Sequence, residues 1–537
     1  MTLRPSPFAH RYDMADGTRA IFHALSLDIV FVGPEVAALF PPVWDRPLAF
    51  RVPRGGIGDV RPDYPTPDAL SAPAEWIAAA ENPTQEAERE AAVSLFTELH
   101  LLQEPGETFD SEWVGKLQGM VMDVQMKMLT LTPTTLCNYR CTYCHETEES
   151  RATDERMTLE NAQAVIKAWG KYAACSPGKK DLLIYGGEPL LNPEVTRYAI
   201  EHFSAAPEEQ YGGKVCPILV TNASRITPEW ASFLKEHDVF VIVSCDAVGE
   251  RNDRARVTVG GGGTFNMIER GYRMLQAAGV RTAISVTVGT HNAIDIHDSF
   301  VETIDYFKPL DIGLNSCLHQ EHGDAENPIA AEPLAATQRM LEAYSRARAK
   351  GVYVEQFNRR IRPLAMRNHR VKDCSSCGGR IVAHPNGRFS FCDGFSYTDE
   401  YSYTFEGELD LENNKDYERW SKLSPLNWPD CYECPALALC GGGCRYDAAM
   451  ASGRIDGLDP HRCTQDREIL RWAVNDLGRI VEAQALTGSQ VLLPSEAARK
   501  QLLGELTLDP LTIPLGNANR YGERVGRPVE QFATSRD

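Results

Sequence analysis

The sequence lacks the long hydrophobic stretches that membrane insertion or export requires. No run approaches the roughly 20 apolar residues of a membrane-spanning helix, and residues 1–17 contain no apolar segment typical of a secretion signal. Basic residues are also scarce, with 55 Lys and Arg against 74 Asp and Glu and a net charge of −19. Surfaces that bind nucleic acid or anionic membranes need the opposite balance. We therefore expect a cytoplasmic protein with neither nucleic-acid nor membrane partners.

Phosphate-binding loops and repeats are missing as well. The glycine run 260–263 is not followed by the Lys–Ser/Thr pair of a P-loop, and Asn266 stands where a dinucleotide-binding turn needs its third glycine. We predict a plain surface loop there. With 43% hydrophobic and 24% charged residues in 537, the composition is typical of a globular protein of about three domains.

Cysteine is the residue that the chain does have in quantity, with 15 in total. In a reducing compartment, clustered cysteines are typical of metal ligands rather than disulfides. They form two groups in the sequence: Cys137, Cys141 and Cys144, and then Cys374, Cys377, Cys392, Cys431, Cys434, Cys440, Cys444 and Cys463. The others are predicted to be small buried core residues: Cys175, Cys216, Cys245 and Cys317.

Composition and hydrophobic periodicity divide the chain into five parts. Residues 1–112 predict a small α+β module, and residues 126–325 alternate strand-like with helical segments. Such alternation predicts parallel strands joined by crossover helices, here a partial or full β/α barrel, whose chemistry sits at the carboxyl ends of the strands. Residues 326–370 predict a linking helix and a strand at Val352–Gln356, residues 371–480 a cysteine-rich domain, and residues 481–537 a tail.

The first cysteine group has the spacing C-x3-C-x2-C and follows a predicted strand at Leu129–Leu131. Three thiolates can hold three irons of a [4Fe–4S] cluster and leave the fourth open to a substrate or cofactor, whereas four would close it. The alternative is a zinc knuckle. Zinc requires four ligands, and His145 could supply the fourth.

Further motifs follow this group in an order that resembles the radical S-adenosylmethionine (radical SAM) superfamily. GGEP occupies positions 186–189, and TNA at 221–223 resembles the family's TNG. SCDA at 244–247 resembles SLDG, and Asp253 and Arg256 match the D-x-x-R that follows it. Taken singly, each motif is an ordinary strand end, turn or cap. The resemblance implies a partial (β/α)6-type barrel, a [4Fe–4S] cluster and bound S-adenosylmethionine.

The resemblance also implies which residues contact S-adenosylmethionine. The glycines of GGEP leave backbone groups open to close approach by the amino group of the methionine half. The expected contacts run from the adenine to the carboxylate: Tyr143 and Leu318 at the adenine, Ser244 at the ribose, Gly186, Gly187, Glu188, Asn222 and Asp246 around the bound cofactor, and Arg256 at its carboxylate.

The second cysteine group resembles the SPASM domain. From Cys377 the pattern is C-x9-G-x4-C, followed by C-x2-C-x5-C-x3-C over 431–444 and a last cysteine at 463, and Cys374 supplies an eighth thiol. The resemblance implies two auxiliary [4Fe–4S] clusters with interleaved ligands. We name them the first auxiliary group (Cys374, Cys377, Cys392 and Cys444) and the second auxiliary group (Cys431, Cys434, Cys440 and Cys463).

Two alternatives to this ligand set stay open. Eight thiols could instead form two zinc ribbons. If Cys374 is not a ligand, the first auxiliary group leaves an iron open to substrate.

The resemblance to SPASM-containing enzymes predicts maturation of a ribosomally made peptide or protein, by crosslinking or epimerisation, with a flavodoxin- or ferredoxin-type electron donor. The N-terminal module resembles winged-helix leader-peptide domains, so we expect a leader to add as a strand near Ile21–Val32. The alternatives are a dehydrogenase of sulfatase-maturase type, in which Asp393 would take a proton from the substrate, or one acting on a small alcohol, and a non-catalytic iron–sulfur electron carrier.

Overall fold

The fold is described from a computed structural model, which defines residues 3–38, 83–144, 154–317, 329–396 and 400–504. The strands in these ranges are as follows: β1 Arg4–Pro5, β2 Ala9–Asp13, β3 Arg19–His23, β4 Ile29–Val32, β5 Leu102–Gln103, β6 Met128–Leu131, β7 Lys180–Ile184, β8 Val215–Thr221, β9 Phe240–Ser244, β10 Thr282–Val288, β11 Asp311–Ser316, β12 Tyr353–Val354, β13 Arg380–Ala383, β14 Arg388–Ser390, β15 Ser402–Thr404 and β16 Val491–Leu492.

The α-helices of the same ranges vary from a single turn to 21 residues. They are α1 Pro34–Ala37, α2 Pro83–Glu98, α3 Phe109–Met122, α4 Leu159–Ala174, α5 Pro193–Ala205, α6 Pro228–Glu236, α7 Glu250–Asp253, α8 Phe265–Ala277, α9 Ile296–Phe307, α10 Pro333–Ala349, α11 Glu355–Met366, α12 Lys415–Ser421, α13 Leu437–Cys440, α14 Arg445–Ser452, α15 Pro460–Ile480 and α16 Glu496–Gln501.

The central sheet has the strand order β12-β11-β10-β9-β8-β7-β6-β13-β14-β15. The strands from β6 to β12 are parallel, and β13 joins them parallel to β6 before two antiparallel strands end the sheet. Helices connect the parallel strands by crossing back over the sheet. The predicted partial barrel is confirmed, and within the described ranges the sheet stays open.

Local sequence explains the regular elements of this sheet. The side chain of Thr158 accepts a hydrogen bond from the backbone N–H of Asn161, and that of Thr227 accepts one from Trp230, so each caps the helix that follows. The strands are continuous buried runs, as in Phe240–Ser244, because helices and loops cover both faces of a parallel sheet. Because these strands are parallel, their carboxyl ends all lie at one edge of the sheet.

The N-terminal sheet corrects one expectation. We predicted an exposed edge near Ile21–Val32 for a docking strand, and this is wrong. β3 lies between β2 and β4 in an antiparallel meander, and the outer edge of β4 pairs with β16, where Val32 faces Val491 and Phe31 faces Leu492. The part of the tail predicted to be featureless therefore returns to complete the first sheet of the chain.

Two helices appear where the sequence patterns were weaker. Phe109–Met122 runs across the predicted end of the N-terminal module at residue 112. The strand predicted at Val352–Gln356 is two residues long and passes directly into Glu355–Met366. That second helix packs between α15 and α16, and its buried arginines obscure the apolar periodicity by which helices are recognised.

The four isolated cysteines differ in burial. Cys245 and Cys317 are buried as predicted, but Cys175 is exposed and Cys216 is only half-buried. Cys175 is the C-cap of α4, at the end of a helix where the chain turns toward solvent. Within the described ranges, none of the helices combines the length and apolarity needed to traverse a bilayer.

Candidate cofactor and cluster sites

The loop that carries Cys137, Cys141 and Cys144 follows β6 at the carboxyl edge of the sheet. The backbone N–H of Gly187 donates to the carbonyl of Thr134 at 3.1 Å, and that of Glu188 donates to Leu136 at 2.7 Å. A Cβ on Gly187 would lie 2.2 Å from the Leu136 carbonyl oxygen. Glycine is thus required here because the end of β7 packs directly on the backbone that enters the cysteine loop.

Glu188 is fully buried and joins two strand ends. Its carboxylate accepts hydrogen bonds from the Thr221 hydroxyl and the Asn222 backbone N–H, both at 2.8 Å, and from the Leu190 N–H at 3.1 Å. Burial raises the pKa of this carboxyl, and the three donors oppose that rise. The predicted GGEP and TNA motifs are therefore parts of one hydrogen-bonded unit.

Asn222 extends this unit to the cysteine loop. Its amide nitrogen donates to Asn138 Oδ1 at 3.0 Å and lies 3.8 Å from the Cys137 sulfur. The next residue, Ala223, has φ +59°, a left-handed backbone that explains why the family places glycine there. Alanine accepts this conformation at a modest cost, so the departure from TNG leaves the turn intact.

A second polar group brings the SCDA motif to the same loop. The Tyr143 hydroxyl donates to Asp246 Oδ2 at 2.6 Å, and Arg256 Nε lies 3.2 Å from Asp246 Oδ1. Arg256 also reaches the Cys141 sulfur at 3.8 Å. Burial acts to raise the pKa of Asp246, but Arg256 and the hydrogen bonds from His291, Thr287 and Tyr143 outweigh it and lower that pKa.

The remaining predicted contact residues are less informative. Ser244 ends β9 and is half-buried, level with Ser285 of the neighbouring strand. Asp253 does not face the cysteine loop; its carboxylate accepts the backbone N–H groups of Thr264 and Phe265 at the start of α8. Leu318 and His145 lie outside the described residues. The contacts that each residue makes with S-adenosylmethionine stay predictions.

The first auxiliary group converges at the end of the sheet that holds β13 and β14. Burial raises the pKa of Cys377, and the nearby Cys374 raises it further. Burial and Cys374 act in the same way on Cys392, and burial and Cys392 act on Cys444. The four predicted ligands are therefore electrostatic neighbours although they span 71 positions of sequence, from 374 to 444.

The second auxiliary group lines a single cavity under Trp428, together with Gly442 and Gly443. Burial raises the pKa of Cys431, and Cys440, Cys434 and Cys463 add to that rise in this order. The Gly442 backbone N–H donates to the Cys440 sulfur at 3.3 Å. Such N–H donors stabilise a thiolate bound to iron and help to set the reduction potential of a cluster.

The donor sets of these groups are three thiols and twice four thiols, the numbers that [4Fe–4S] clusters take. The residues present therefore fit such clusters in their chemistry. In the part of the chain that the structure describes, no three Cys, His, Asp or Glu side chains are close enough to hold one metal ion. The ligand sets of the three clusters stay predictions.

The family model of the Radical SAM superfamily matches residues 131–305. This range contains the cysteine loop, Glu188, Asn222, Asp246 and Arg256. Residues 131–305 are therefore a radical SAM domain, and the chain is an enzyme. Its C-terminal region is of the SPASM type, and the enzymatic assignment excludes the non-catalytic electron carrier.

This radical SAM enzyme is similar to named relatives over most of their length. It is 23% identical over 368 residues to the radical SAM cyclopropyl synthase TigE of Paramaledivibacter caminithermalis, covering 65% of this chain and 74% of that protein. It is 24% identical to a cysteine-type anaerobic sulfatase-maturating enzyme of Clostridium perfringens, over 58% and 86% respectively. Among solved structures, hexahistidine-tagged anSMEcpe with bound AdoMet gives a TM-score of 0.56 at 19% identity, over 70% and 98%.

The radical SAM enzyme has one residue at this site that the sequence motifs did not indicate. His291, in the turn after β10, stacks on Tyr143 with ring centroids 5.1 Å apart, and its Nε2 lies 3.6 Å from Asp246 Oδ2. The sequence did offer one indication of His291. It lies three residues after the end of β10, and the carboxyl ends of such strands face the site.

Asp393, predicted as a proton acceptor, is held beside the first auxiliary group. Its Oδ2 lies 3.1 Å from Arg380 Nη1. Burial lowers the pKa of Arg380, but Asp393 and the thiols of Cys374 and Cys392 outweigh it and raise that pKa. The pairing keeps Arg380 charged and orients Asp393, whose catalytic role stays a prediction.

Proposed function

We propose that this radical SAM enzyme modifies a side chain of a ribosomally made peptide or protein, by forming a crosslink or an epimer. The observation that carries this proposal is the additional N-terminal sheet of β2, β3, β4 and β16, which the radical chemistry does not itself need. The similarity to anSMEcpe covers 98% of that chain but only 70% of this one. Machinery beyond the common core is expected in an enzyme that must hold a large substrate.

A peptide substrate is consistent with the relatives. Native anSMEcpe has been solved with AdoMet and the Cp18Cys peptide, and it gives a TM-score of 0.54 to this chain at 20% identity. The turn between β3 and β4 contacts the segment that leads into the cysteine-rich domain, because His369 donates to the carbonyl of Leu25 at 2.6 Å. A peptide bound to this sheet would therefore be held close to the rest of the enzyme.

For the radical centre we propose Cys137, Cys141 and Cys144 as ligands of one [4Fe–4S] cluster. When bound there, the cluster and S-adenosylmethionine supply a 5′-deoxyadenosyl radical that removes a hydrogen atom from unactivated carbon. Glu188 and Asn222 orient the cysteine loop. Arg256, which is paired with Asp246, would bind the carboxylate of S-adenosylmethionine, and Tyr143 would lie beside the adenine.

The two auxiliary groups are proposed to hold a [4Fe–4S] cluster each, with all eight thiols as ligands. Clusters held there would offer a route for the electron that a substrate radical must lose on oxidation. The reductant that starts each turnover is proposed to be a flavodoxin- or ferredoxin-type protein.

A dehydrogenase of sulfatase-maturase type is the second candidate, and Asp393 is the observation that favours it. This carboxylate lies next to Cys392 and is held by Arg380, so it is positioned to accept a proton. Two curated sulfatase-maturating enzymes of Clostridium perfringens cover 58% of this chain.

One experiment separates the candidates. The enzyme is reconstituted anaerobically and incubated with S-adenosylmethionine, a reductant and either a short precursor-type peptide or a sulfatase-type peptide bearing Cys or Ser. We expect 5′-deoxyadenosine together with a mass change in the precursor-type peptide. Formation of an aldehyde on the sulfatase-type peptide alone, abolished by Asp393→Asn, would instead establish the second candidate.

A further inference from the structure

A buried cluster of charged residues lies between the two auxiliary groups. Its centre is Arg360 of α11, whose side chain is 2% exposed. Arg360 Nε pairs with Asp466 Oδ1, and Arg360 Nη2 lies 3.4 Å from Asp373 Oδ2. The Arg360 Nη1 also donates to the carbonyl of Gln356 at 2.8 Å, which fixes the guanidinium on its own helix. One guanidinium thus contacts two carboxylates that come from separate segments of the chain.

Each of those carboxylates belongs to a segment that carries a different set of ligands. Asp373 directly precedes Cys374 of the first auxiliary group. Asp466 lies three residues after Cys463 of the second auxiliary group, on the same helix, α15, and so on nearly the same face. We call Asp373, Arg360 and Asp466 the carboxylate bridge.

The bridge lies beside the predicted ligands of both auxiliary groups. Asp466 lines the cavity of the second auxiliary group. On the other side, Asp373 directly precedes Cys374 in the chain. Arg359 lies 3.5 Å from Asp373 Oδ1, and Arg370 pairs with the same oxygen. Charges at the bridge are therefore close to thiols of both groups.

Such an arrangement is costly if it serves only to hold the fold. Removing charged groups from water carries a penalty that apolar packing of the same volume avoids. Leu364, Leu439 and Ala473 line the same small cavity as Arg360 and Asp466, so apolar packing is already the local pattern. The Asp466 Oδ2 accepts no hydrogen bond from the described residues.

We propose that Arg360 is a positioning residue that couples the two auxiliary clusters and sets their reduction potentials. A [4Fe–4S] cluster with four thiolates is anionic and becomes more so on reduction, so a nearby guanidinium favours the reduced state and a nearby carboxylate opposes it. By pairing with Asp373 and Asp466 together, Arg360 offsets both carboxylates. The proposal rests on the proposed function, because it requires both auxiliary groups to hold clusters.

The test is a redox titration followed by electron paramagnetic resonance, on the full-length protein with Cys137, Cys141 and Cys144 replaced by Ala. The remaining signals then come from the auxiliary clusters alone. In Arg360→Gln we expect both midpoint potentials to become more negative, and the second cluster to shift more, because Asp373 keeps Arg359 and Arg370. In Asp466→Asn we expect the potential of the second cluster to become more positive. Arg360→Lys keeps the charge and should stay closer to the parent protein.

Arg499→Gln is the matched control. Arg499 is also buried, but it donates to the carbonyls of Leu27 and Leu364 beside the N-terminal sheet, and no auxiliary thiol is among its charged neighbours. It should lower the unfolding temperature without moving either potential. Iron content is measured for every variant.

The outcomes are distinct. Unchanged potentials in Arg360→Gln and Asp466→Asn, with iron retained, would overturn the electrostatic role and leave a structural ion pair. Shifts of the same sign in both variants would overturn it as well. If Arg360→Gln loses iron, Asp466→Asn and Arg360→Lys still decide the sign. A parent protein that holds about four irons rather than about twelve before the cysteine replacements would instead contradict the proposed auxiliary clusters themselves.

Discussion

The two cysteine regions are built on opposite principles. The loop with Cys137, Cys141 and Cys144 is short and is held by a scaffold that exists without metal: the ends of β7, β8 and β9 fix it through Glu188, Asn222 and Asp246. The region from 374 to 463 has few long elements, and α13 and α14, of 4 and 8 residues, are shorter than isolated helices can sustain. The first region positions its predicted ligands on a preformed scaffold, whereas we expect bound clusters to stabilise the second region.

The strongest test of this comparison is Cys141→Ala. We expect release of 5′-deoxyadenosine to be abolished, because two thiolates cannot hold the radical-generating cluster in place. Iron should fall by about one third, from about twelve to about eight per chain. The far-ultraviolet circular dichroism and the unfolding temperature should change little, since the strand ends hold the loop.

Cys175→Ala is the control for that variant, because Cys175 is exposed and lies outside both groups. It should keep both iron and activity. A Cys141→Ala protein that unfolds, or that still releases 5′-deoxyadenosine, would contradict the comparison.

Cys440→Ala, unlike Cys141→Ala, should lower the thermal stability of the protein. Cys440 ends α13 and lies in the cavity of the second auxiliary group, so its loss removes a predicted ligand of the cluster that we expect to stabilise this region. We expect loss of iron together with a fall in unfolding temperature of about 5 °C or more. Limited proteolysis should cut first between 400 and 460. Equal thermal stability of Cys440→Ala and Cys141→Ala would break the distinction between the two regions.

Tyr143→Phe examines how strongly the scaffold braces the first region. The substitution removes the 2.6 Å hydrogen bond to Asp246 and leaves the stacking on His291 in place. A hydrogen bond to a charged group contributes about 1.5–3 kcal/mol, so we expect affinity for S-adenosylmethionine to fall about tenfold. Iron content should be unchanged. Equilibrium binding checks this, and undiminished affinity would show that Tyr143 does not orient the site.

The smallest effect concerns the contact between His369, which precedes the cysteine-rich domain, and the turn between β3 and β4. Burial lowers the pKa of His369 to about 4, and its N–H donates to Leu25. The unfolded state then binds more protons than the folded state between this pKa and about 6.5, so stability falls as the pH drops through that range. Between about pH 7.5 and about pH 5.5 we expect a loss of about 1 kcal/mol.

His369→Gln keeps a donor for Leu25 but cannot titrate in this window. Its unfolding free energy should therefore depend less on pH than that of the parent protein, measured by urea unfolding at the two pH values. An identical pH dependence in the two proteins would mean that His369 does not contribute.

Prediction from sequence succeeded where a local pattern has one structural outcome. The alternation of apolar strands with capped helices between 126 and 325 leads to parallel strands, and it located β6 to β10 within a few residues. Prediction failed at the edge of β4, because no local sequence pattern indicates that Val491 and Leu492 pair with Val32 and Phe31. It also missed α11, in which the buried face carries Arg360 rather than only apolar side chains.

The sequence by itself determined the chemistry of the protein, because cysteine spacing and the order of GGEP, TNA, SCDA and D-x-x-R are properties of the linear chain. Only the tertiary structure decided what surrounds that chemistry: His291 on Tyr143, Arg360 on Asp466, and β16 on β4. These contacts join residues from 106 to 461 positions apart. They form because burial of the helices and sheets brings distant segments together. Residue spacing in the sequence does not indicate such contacts.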